Sequence, residues 1–221
     1  MKNIIQDILQ TQLFSGVSPQ EAAQLLPRLY ARSTEYRQDT VIIEEGGCVR
    51  SFGLLLNGNG RSFKTDAEGR TITITLLKKG SEIGVILAAG TSHTSPVSVE
   101  VQKGSTILFI SFGRLMDSSL LSCPGHLRLM QNYMGILAEK GLVLHQRIDC
   151  LLRPTARGKI LAFLTRAAEG KTGPVFTIAM DRKAMAQYLN LDRSALSREL
   201  SRMKQDGIID FYKSTFRLLQ D

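Results

Sequence analysis

Five polar residues lie within a short segment, 193–202, near the carboxyl end of the chain: Arg193, Ser194, Ser197, Arg198 and Arg202. Between them, Leu196, Leu200 and Met203 are spaced by four and three residues, which predicts an amphipathic helix with the polar set on its outer face. Hydroxyl and guanidinium donors on the amino-terminal half of such a helix suit base edges in a major groove, where arginine binds guanine O6 and N7 together. The segment therefore predicts a DNA-reading helix, with Arg193 and Arg198 as the leading base contacts.

A second, shorter helix is predicted immediately before the reading helix. Asp181 is its candidate N-cap, Asn190-Leu191 forms a tight turn, and Asp192 is the candidate cap of the reading helix itself. The pair forms a helix-turn-helix. Arg182 and Lys183, at the start of the first helix, join the DNA-binding candidates.

A small β-hairpin is predicted after the reading helix. Gly207 ends that helix, and residues 208–211 and 216–219 resemble two short strands around a turn that contains Lys213. Such a wing would place Lys213 against a phosphate. The alternative from these residues alone is a pair of helices on a basic surface that binds no nucleic acid.

Charge is concentrated in the same part of the chain. The 221 residues are 43% hydrophobic and 22% charged, as in an ordinary globular protein with room for two domains, and the formal net charge is +8. Residues 151–221 hold 13 Lys and Arg against 7 Asp and Glu, whereas residues 1–150 hold 15 against 13. The carboxyl-terminal third therefore carries most of the excess that a phosphate-binding domain needs.

Several other kinds of protein are disfavoured. Cys48, Cys123 and Cys150 are isolated, which favours reduced thiols over a disulfide framework and leaves open redox activity of any one of them. No apolar run spans a membrane and the first ten residues are too polar for a signal peptide, so we expect a cytoplasmic protein without membrane contact. We also expect no enzyme, no catalytic residues and no cofactor, because no phosphate loop, metal-ligand spacing or activated nucleophile is present.

Strand periodicity dominates residues 31–110. Residues 71–76 alternate strictly between threonine and apolar side chains, and β-rich runs occupy 51–56, 97–101 and 106–110. Turn signals separate these runs at 46–47, 57–60, 66–69, 79–80 and 103–104. This pattern predicts an all-β barrel or jelly roll able to hold one ligand.

Helices are predicted on both sides of the β region. Residues 3–10 form a short amphipathic pattern, and Ser18 with Glu21 makes a capping box with proline at the first helical position. A long helix begins near Pro124 and ends at Arg153-Pro154.

One stripe of the long helix steps by three and four residues for more than three heptads: Leu127, Met130, Met134, Leu137, Gly141, Leu144 and Ile148. We call this stripe the seam. A narrow seam predicts a homodimer through a coiled coil, and the alternative is that it packs on the chain's own barrel. The domains predicted are 1–122 with the barrel and amino-terminal helices, 123–152 with the dimerisation helix, and 153–221 with the winged helix-turn-helix.

This order of elements resembles the cyclic-AMP receptor/fumarate-nitrate regulator (Crp/Fnr) family of bacterial transcription factors. LDRSALSREL, residues 191–200, looks like the family's recognition helix, with Arg193 and Arg198 at two DNA-reading positions and Ser194 where many members have Glu. Residues 14–18 and 157–164 are similar to the family as well. The resemblance implies an α+β fold: an amino-terminal jelly-roll barrel like those that bind cyclic nucleotides, a long dimerisation helix and a carboxyl-terminal winged helix-turn-helix.

The resemblance does not extend to the cyclic-nucleotide site. Members that bind cyclic nucleotides use a Gly-Glu-Leu run and a nearby Arg-Ser, but the corresponding stretches here are Gly84-Val85-Ile86 and Thr94-Ser95-Pro96. Leu142 and Val143 stand at the positions that receive the purine. A phosphate buried without a cation is strongly destabilised, so cyclic AMP is not the expected effector.

A small organic effector is expected instead, in a largely apolar pocket. Its candidate lining is Gly84, Val85, Ile86, Thr94, Ser95, Tyr133 and Leu137. An iron–sulphur cluster is not expected, since no cysteine precedes Cys48. His93, His126 and His145 are isolated and are expected to be solvated, which leaves no metal site and little support for haem.

The sequence thus predicts a homodimeric, sequence-specific transcription regulator controlled by a small effector. Its expected partners are double-stranded DNA with a pseudo-palindromic operator, a second copy of the chain, an unidentified effector and, for an activator, RNA polymerase. The alternative is a ligand-binding, redox- or haem-responsive sensor dimer whose DNA reading is weak or vestigial.

Overall fold

The computed structural model describes residues 2–66 and 68–219. Met1, Gln220 and Asp221, at the ends of the predicted domains, and Ala67, in the predicted turn 66–69, lie outside the described residues. The chain divides into two compact units, one up to Ala138 and one from Glu139 onward. The division falls inside the long helix, and the three-part domain scheme stays a prediction.

Eight strands of the first unit form two antiparallel sheets. The strands are β1 (Arg32–Glu35), β2 (Thr40–Ile43), β3 (Ser51–Asn57), β4 (Asn59–Thr65), β5 (Thr71–Lys78), β6 (Glu82–Ile83), β7 (Ser98–Val101) and β8 (Thr106–Ser111). One sheet has the order β1-β8-β3-β6 and the other β2-β7-β4-β5. Two four-stranded antiparallel sheets are the architecture of a jelly roll, which confirms the predicted fold class.

Strand β3 is buried on both faces, which explains its nearly continuous apolar sequence. Phe52, Leu54 and Leu56 point to one side of β3 and pack in a core with residues of the helices. Leu55 points to the other side and packs with residues of β7 and β8, between the two sheets. Gly53 permits this close packing, because a Cβ there would lie 2.8 Å from Ile107 Cγ2.

Among the described residues, five α-helices belong wholly or partly to this unit: α1 (Lys2–Leu9), α2 (Pro19–Arg28), α3 (Val85–Ala89), α4 (Phe112–Leu115) and α5 (His126–Leu152). Two 3₁₀-helices, Gln12–Phe14 and Ser118–Leu120, accompany them. The predicted capping box of α2 is confirmed. Ser18 Oγ accepts from the Glu21 amide at 3.3 Å, and Glu21 Oε2 accepts from the Ser18 amide at 2.8 Å. Helices α3 and α4 were not predicted, because four or five residues are too few to display helical periodicity.

The second unit is a winged helix-turn-helix. After the last part of α5 come α6 (Ala156–Ala168), β9 (Val175–Thr177), α7 (Arg182–Tyr188), α8 (Arg193–Gln205), β10 (Ile209–Tyr212) and β11 (Thr215–Leu218). Its sheet has the order β10-β11-β9, with all pairs antiparallel. The apolar sides of α6, α7 and α8 meet the wing in one core, which contains Ile160, Met185, Leu196 and Phe216.

Candidate nucleic-acid interface

The turn between α7 and α8 is set by local chemistry. Asp181 Oδ1 accepts from the Ala184 amide at 2.7 Å, so the predicted cap of α7 is confirmed. Asn190 has φ 50°, a left-handed conformation that asparagine tolerates better than most residues. Asp192 occupies the N-cap position of α8, but its side chain makes no capping hydrogen bond, so that part of the prediction is wrong.

Helix α8 separates its apolar and polar faces clearly. Leu196, Leu200 and Met203 are fully buried. The polar residues predicted to read DNA are exposed: Arg193, Ser194, Ser197, Arg198 and Arg202. Burial of the apolar side fixes the helix about its axis, so the donors are presented on the outer side before any partner arrives.

Sequence analysis missed one further hydroxyl on this face. Ser201 is exposed, and its Oγ donates to the Ser197 carbonyl oxygen at 3.1 Å, one turn earlier. The four-residue spacing from Ser197 was the available signal. Arg202 lies farther along the helix, with its guanidinium 3.8 Å from the Glu199 carboxylate.

An arginine of α6 forms ion pairs with carboxylates in and just after α8. The Arg157 guanidinium donates to Glu199 Oε1 through Nε and contacts Asp206 Oδ2 through Nη2, both at 2.7 Å. Hydrogen bonds to Glu199 and then Asp206 raise the pKa of Arg157. This pairing neutralises Glu199 of α8 and Asp206, the residue that follows the helix, so the arginines on the outer face are left with an excess of positive charge.

The wing ends in a two-residue turn between β10 and β11. Lys213 has φ 51°, and its Nζ lies 5.4 Å from the centroid of the Tyr212 ring. Tyr212 is 74% exposed, which leaves an aromatic ring and an ammonium group together at the tip. Lys183, at the start of α7, is exposed as well.

Arg182, a predicted DNA contact, packs against the wing. Its guanidinium carbon lies 4.9 Å from the ring centroids of both Phe211 and Phe216, and Nη2 donates to the Lys213 carbonyl oxygen at 2.7 Å. The planar group is therefore engaged by the wing of its own chain, and a phosphate contact by Arg182 stays a prediction.

Helix α5 carries two different apolar stripes. The seam residues Leu127, Met134, Leu144 and Ile148 are each more than half exposed, whereas Met130 and Leu137 are partly buried. Another stripe, which sequence analysis did not identify, packs into the first unit: His126, Leu129, Tyr133 and Ile136. One side of the helix thus packs into the core of the chain, while most of the seam stays exposed on another side.

The predicted effector residues fall into two groups. Val85, Ser95 and Tyr133 are buried, with Ser95 Oγ donating to the Val97 carbonyl oxygen at 2.6 Å. Ile86 and Thr94 are exposed. Gly84 caps α3 with φ 72°, a conformation that favours glycine.

Tyr133 is therefore a core residue, and its place in the lining of an effector pocket stays a prediction. Leu137 packs at the edge of the same core. None of the predicted effector residues carries a positive charge, so the set does not fit a buried cyclic-nucleotide phosphate.

His126 and Cys150 are enclosed by packing, whereas His145 and Cys48 are exposed. His126 is fully buried and its Nε2 lies 2.9 Å from the Leu115 carbonyl oxygen, so the expectation of a solvated ring is wrong there. Cys150 is buried, and burial followed by the nearby Asp149 raises its thiol pKa, which disfavours the reactive thiolate. Within residues 2–66 and 68–219, no group of three or more His, Cys, Asp or Glu is arranged to hold a metal ion.

Comparison with known proteins agrees with both units. A family model described as a cyclic nucleotide-binding domain matches residues 33–118, and one described as a Crp-like helix-turn-helix domain matches residues 158–220. The transcriptional activator protein FnrA of Stutzerimonas stutzeri is 24% identical over 199 residues, covering 88% of this chain and 79% of that protein. The transcriptional activator protein anr of Pseudomonas aeruginosa is 26% identical over 190 residues, covering 83% and 75%.

A solved structure shares the fold. The catabolite activator protein of Thermus thermophilus superposes with a TM-score of 0.53 at 22% identity, covering 94% of this chain and 93% of that one.

Among the residues that the structure describes, none of the helices combines the length and the apolar character that a membrane span requires.

Proposed function

Because this chain belongs to the Crp/Fnr family of transcription regulators, with an effector-binding domain and a DNA-binding helix-turn-helix, we propose that it acts as a homodimer that reads a pseudo-palindromic operator through α8. The observation that carries the proposal is the outward face of α8, where Arg193, Ser194, Ser197 and Arg198 are exposed over a fully buried apolar side. Guanidinium and hydroxyl donors on an exposed helix are suited to base edges.

The seam supports the dimer. An exposed row of Leu, Met and Ile side chains is costly in water, and a second copy of the helix would cover it with the same residues. Two copies would present two reading helices, which occupy successive major grooves when they lie about 34 Å apart.

The effector is proposed to be a small organic molecule and not cyclic AMP. The residues at Gly84–Ile86 and Thr94–Ser95 offer no cation for a phosphate. An effector bound near α3 would act by favouring one arrangement of the DNA-binding units over another, which is a shift between populations. No residue is assigned as a ligand of iron or haem.

RNA polymerase is the proposed further partner, because the two curated relatives carry the name of transcriptional activators. A cytoplasmic location belongs to the same proposal, since a regulator must share a compartment with its DNA. Catalysis forms no part of it.

Selection of bound duplexes from a random pool tests the function. We expect the purified protein to enrich an inverted repeat whose half-sites are separated by about one helical turn. The Arg193→Ala/Arg198→Ala variant should lose this enrichment, while Lys171→Ala, which removes a positive charge in the turn before β9, should retain it.

The selection is run with the protein alone and again after addition of a pool of small organic molecules. If both runs recover only random sequences, bound with salt-sensitive affinity, the result contradicts sequence-specific reading. That result would favour the sensor dimer with vestigial DNA reading.

A further inference from the structure

The wing is attached to α7 by one side chain that makes three contacts. The Arg182 guanidinium lies over Phe211 and Phe216 at 4.9 Å from each centroid, and its Nη2 donates to the Lys213 carbonyl oxygen at 2.7 Å. Phe211 of β10 and Phe216 of β11 are directly opposite each other in the hairpin. One planar cation therefore binds both strands of the wing and the turn between them.

The surroundings of Arg182 suit a structural contact better than a phosphate contact. Burial lowers the pKa of its guanidinium, because a partly desolvated cation is less stable than a fully hydrated one. The two aromatic rings and the carbonyl acceptor hold the planar group against the wing, which restricts the directions in which its other N–H donors could reach a phosphate. Lys213 lies at the tip, where Arg182 binds its carbonyl oxygen and its ammonium group lies beside Tyr212. The other turn residue, Ser214, is held by the segment before α7: its carbonyl oxygen accepts from the Ile178 amide at 2.9 Å and its Oγ donates to the Met180 carbonyl oxygen at 3.1 Å.

We propose that Arg182 is a positioning residue, which holds the tip of the wing so that Lys213 and Tyr212 meet the DNA backbone beside the groove read by α8. The part of this inference that concerns DNA binding rests on the proposed function, but the contact between Arg182 and the wing is independent of DNA. Lysine cannot replace arginine in this role, because an ammonium group lacks the planar surface and the second directed donor.

A second attachment of the wing provides an internal comparison. Lys204 of α8 lies 5.4 Å from the Phe211 centroid and pairs with Asp210 Oδ1 at 2.6 Å. These contacts reach the middle of β10, including the Phe211 ring that Arg182 also contacts, but not the turn at Lys213. Loss of Lys204 should therefore loosen the hairpin without the same effect on Lys213.

Hydrogen exchange of the free protein tests the attachment without DNA. Peptides covering residues 208–219 should exchange faster in Arg182→Ala and in Arg182→Lys, while peptides of α8 and α6 keep the wild-type rate. Lys171→Ala is the charge-matched control and should leave the wing unchanged. Wild-type exchange of the wing in Arg182→Lys and Arg182→Ala would overturn the proposal, whatever the outcome with DNA.

A double-mutant cycle on the selected operator tests the route of action. Arg182→Ala should weaken binding about tenfold in the wild-type background but less than about twofold when Lys213 is already alanine, because Arg182 acts through the wing tip. Arg182→Lys should behave like Arg182→Ala.

A direct phosphate contact predicts the opposite results. The fold-losses in affinity caused by Arg182→Ala and by Lys213→Ala would then multiply in the double variant. Arg182→Lys would retain most of the affinity. Removing Arg182 from the Lys213→Ala variant would also reduce the slope of log affinity against log salt by a further ~0.9 per protomer. If the wild-type protein selects no operator, the proposed function fails, and the exchange experiment still decides whether Arg182 holds the wing.

Discussion

The Tyr133 hydroxyl donates a 2.6 Å hydrogen bond to the main-chain carbonyl oxygen of Val85. Tyr133 belongs to α5 and Val85 is the first residue of α3, so the bond joins the long helix to the short helix that follows Gly84. The ring packs against Phe52 and Phe112, with centroids 4.8 Å and 5.5 Å away. An effector that moves α3 must therefore break or carry with it a buried contact to α5.

Removing the Tyr133 hydroxyl should destabilise the first unit. Tyr133→Phe keeps the ring but leaves the Val85 carbonyl oxygen without this donor, so we expect the free energy of unfolding to fall by about 1–3 kcal/mol. Denaturant unfolding of the first unit measures the change. Tyr30→Phe is the control, because Tyr30 is 62% exposed, and a loss equal to that of Tyr133→Phe would show that the buried bond contributes nothing.

Arg198→Ala should cost about 1–3 kcal/mol in operator binding and relax the preference at one base of each half-site. The reason is that Arg198 is exposed on the reading face of α8, where a guanidinium reaches base edges. Competition binding against operators with single-base changes checks the result. Equal losses on operator and on random DNA would rule out base reading by Arg198.

Lys213→Ala should weaken specific and random DNA by the same factor. Its ammonium group lies at the exposed tip of the wing beside the Tyr212 ring, where it would meet the DNA backbone and not a base edge. The slope of log affinity against log salt should decrease by ~0.9 for each protomer. A changed base preference with an unchanged slope would contradict the assignment.

Leu144→Glu should convert the proposed dimer to monomers. Leu144 lies on the seam and is 52% exposed in the single chain, so a carboxylate there would be buried against its copy in the dimer. Sedimentation velocity over a range of concentrations measures the shift. Val143→Glu, at a neighbouring position off the seam with 54% exposure, should remain dimeric, and equal dissociation by both variants would mean that the seam has another register.

The capping box of α2 should contribute stability that depends on pH. Hydrogen bonds from the Ser18 amide and then the Ser18 side chain hold the pKa of Glu21 below its ordinary value of 4.5. A group whose folded pKa is depressed stabilises the fold above the unfolded pKa, and this contribution is lost as pH falls through the folded pKa. The difference in unfolding free energy between the wild type and Glu21→Gln should therefore be largest near neutral pH and shrink below pH 4.5.

Denaturant titrations at a series of pH values measure this difference. Gln24→Glu, with an added carboxylate on an exposed position of the same helix, controls for general charge effects. A pH-independent difference between the wild type and Glu21→Gln would exclude a role for the ionised carboxylate.

The elements with strong periodicity or capping chemistry were predictable from the sequence. The capping box at Ser18, the cap at Asp181 and the buried row of α8 each depend on residues close together in the chain. The packing of Tyr133 and Arg182 was not predictable, because their contacts are distant in sequence. No residue near either one in the chain indicates these partners, and only the fold brings Val85 and Phe216 to them.

Every residue of the seam is apolar or glycine, and this has a consequence for the choice of partner. Coiled coils select among partners with polar residues in the seam or with charges beside it. On one side, two of the flanking positions are His126 and Tyr133, whose side chains are already enclosed in the chain's own core. On the same side the next two flanking positions are Lys140 and Arg147, whose charges lie beside the carboxyl-terminal half of the seam. A dimer built on this helix would therefore choose between a second copy and a paralogue with a similar stripe through that half, because the amino-terminal half has no polar seam residue and no charge on this side.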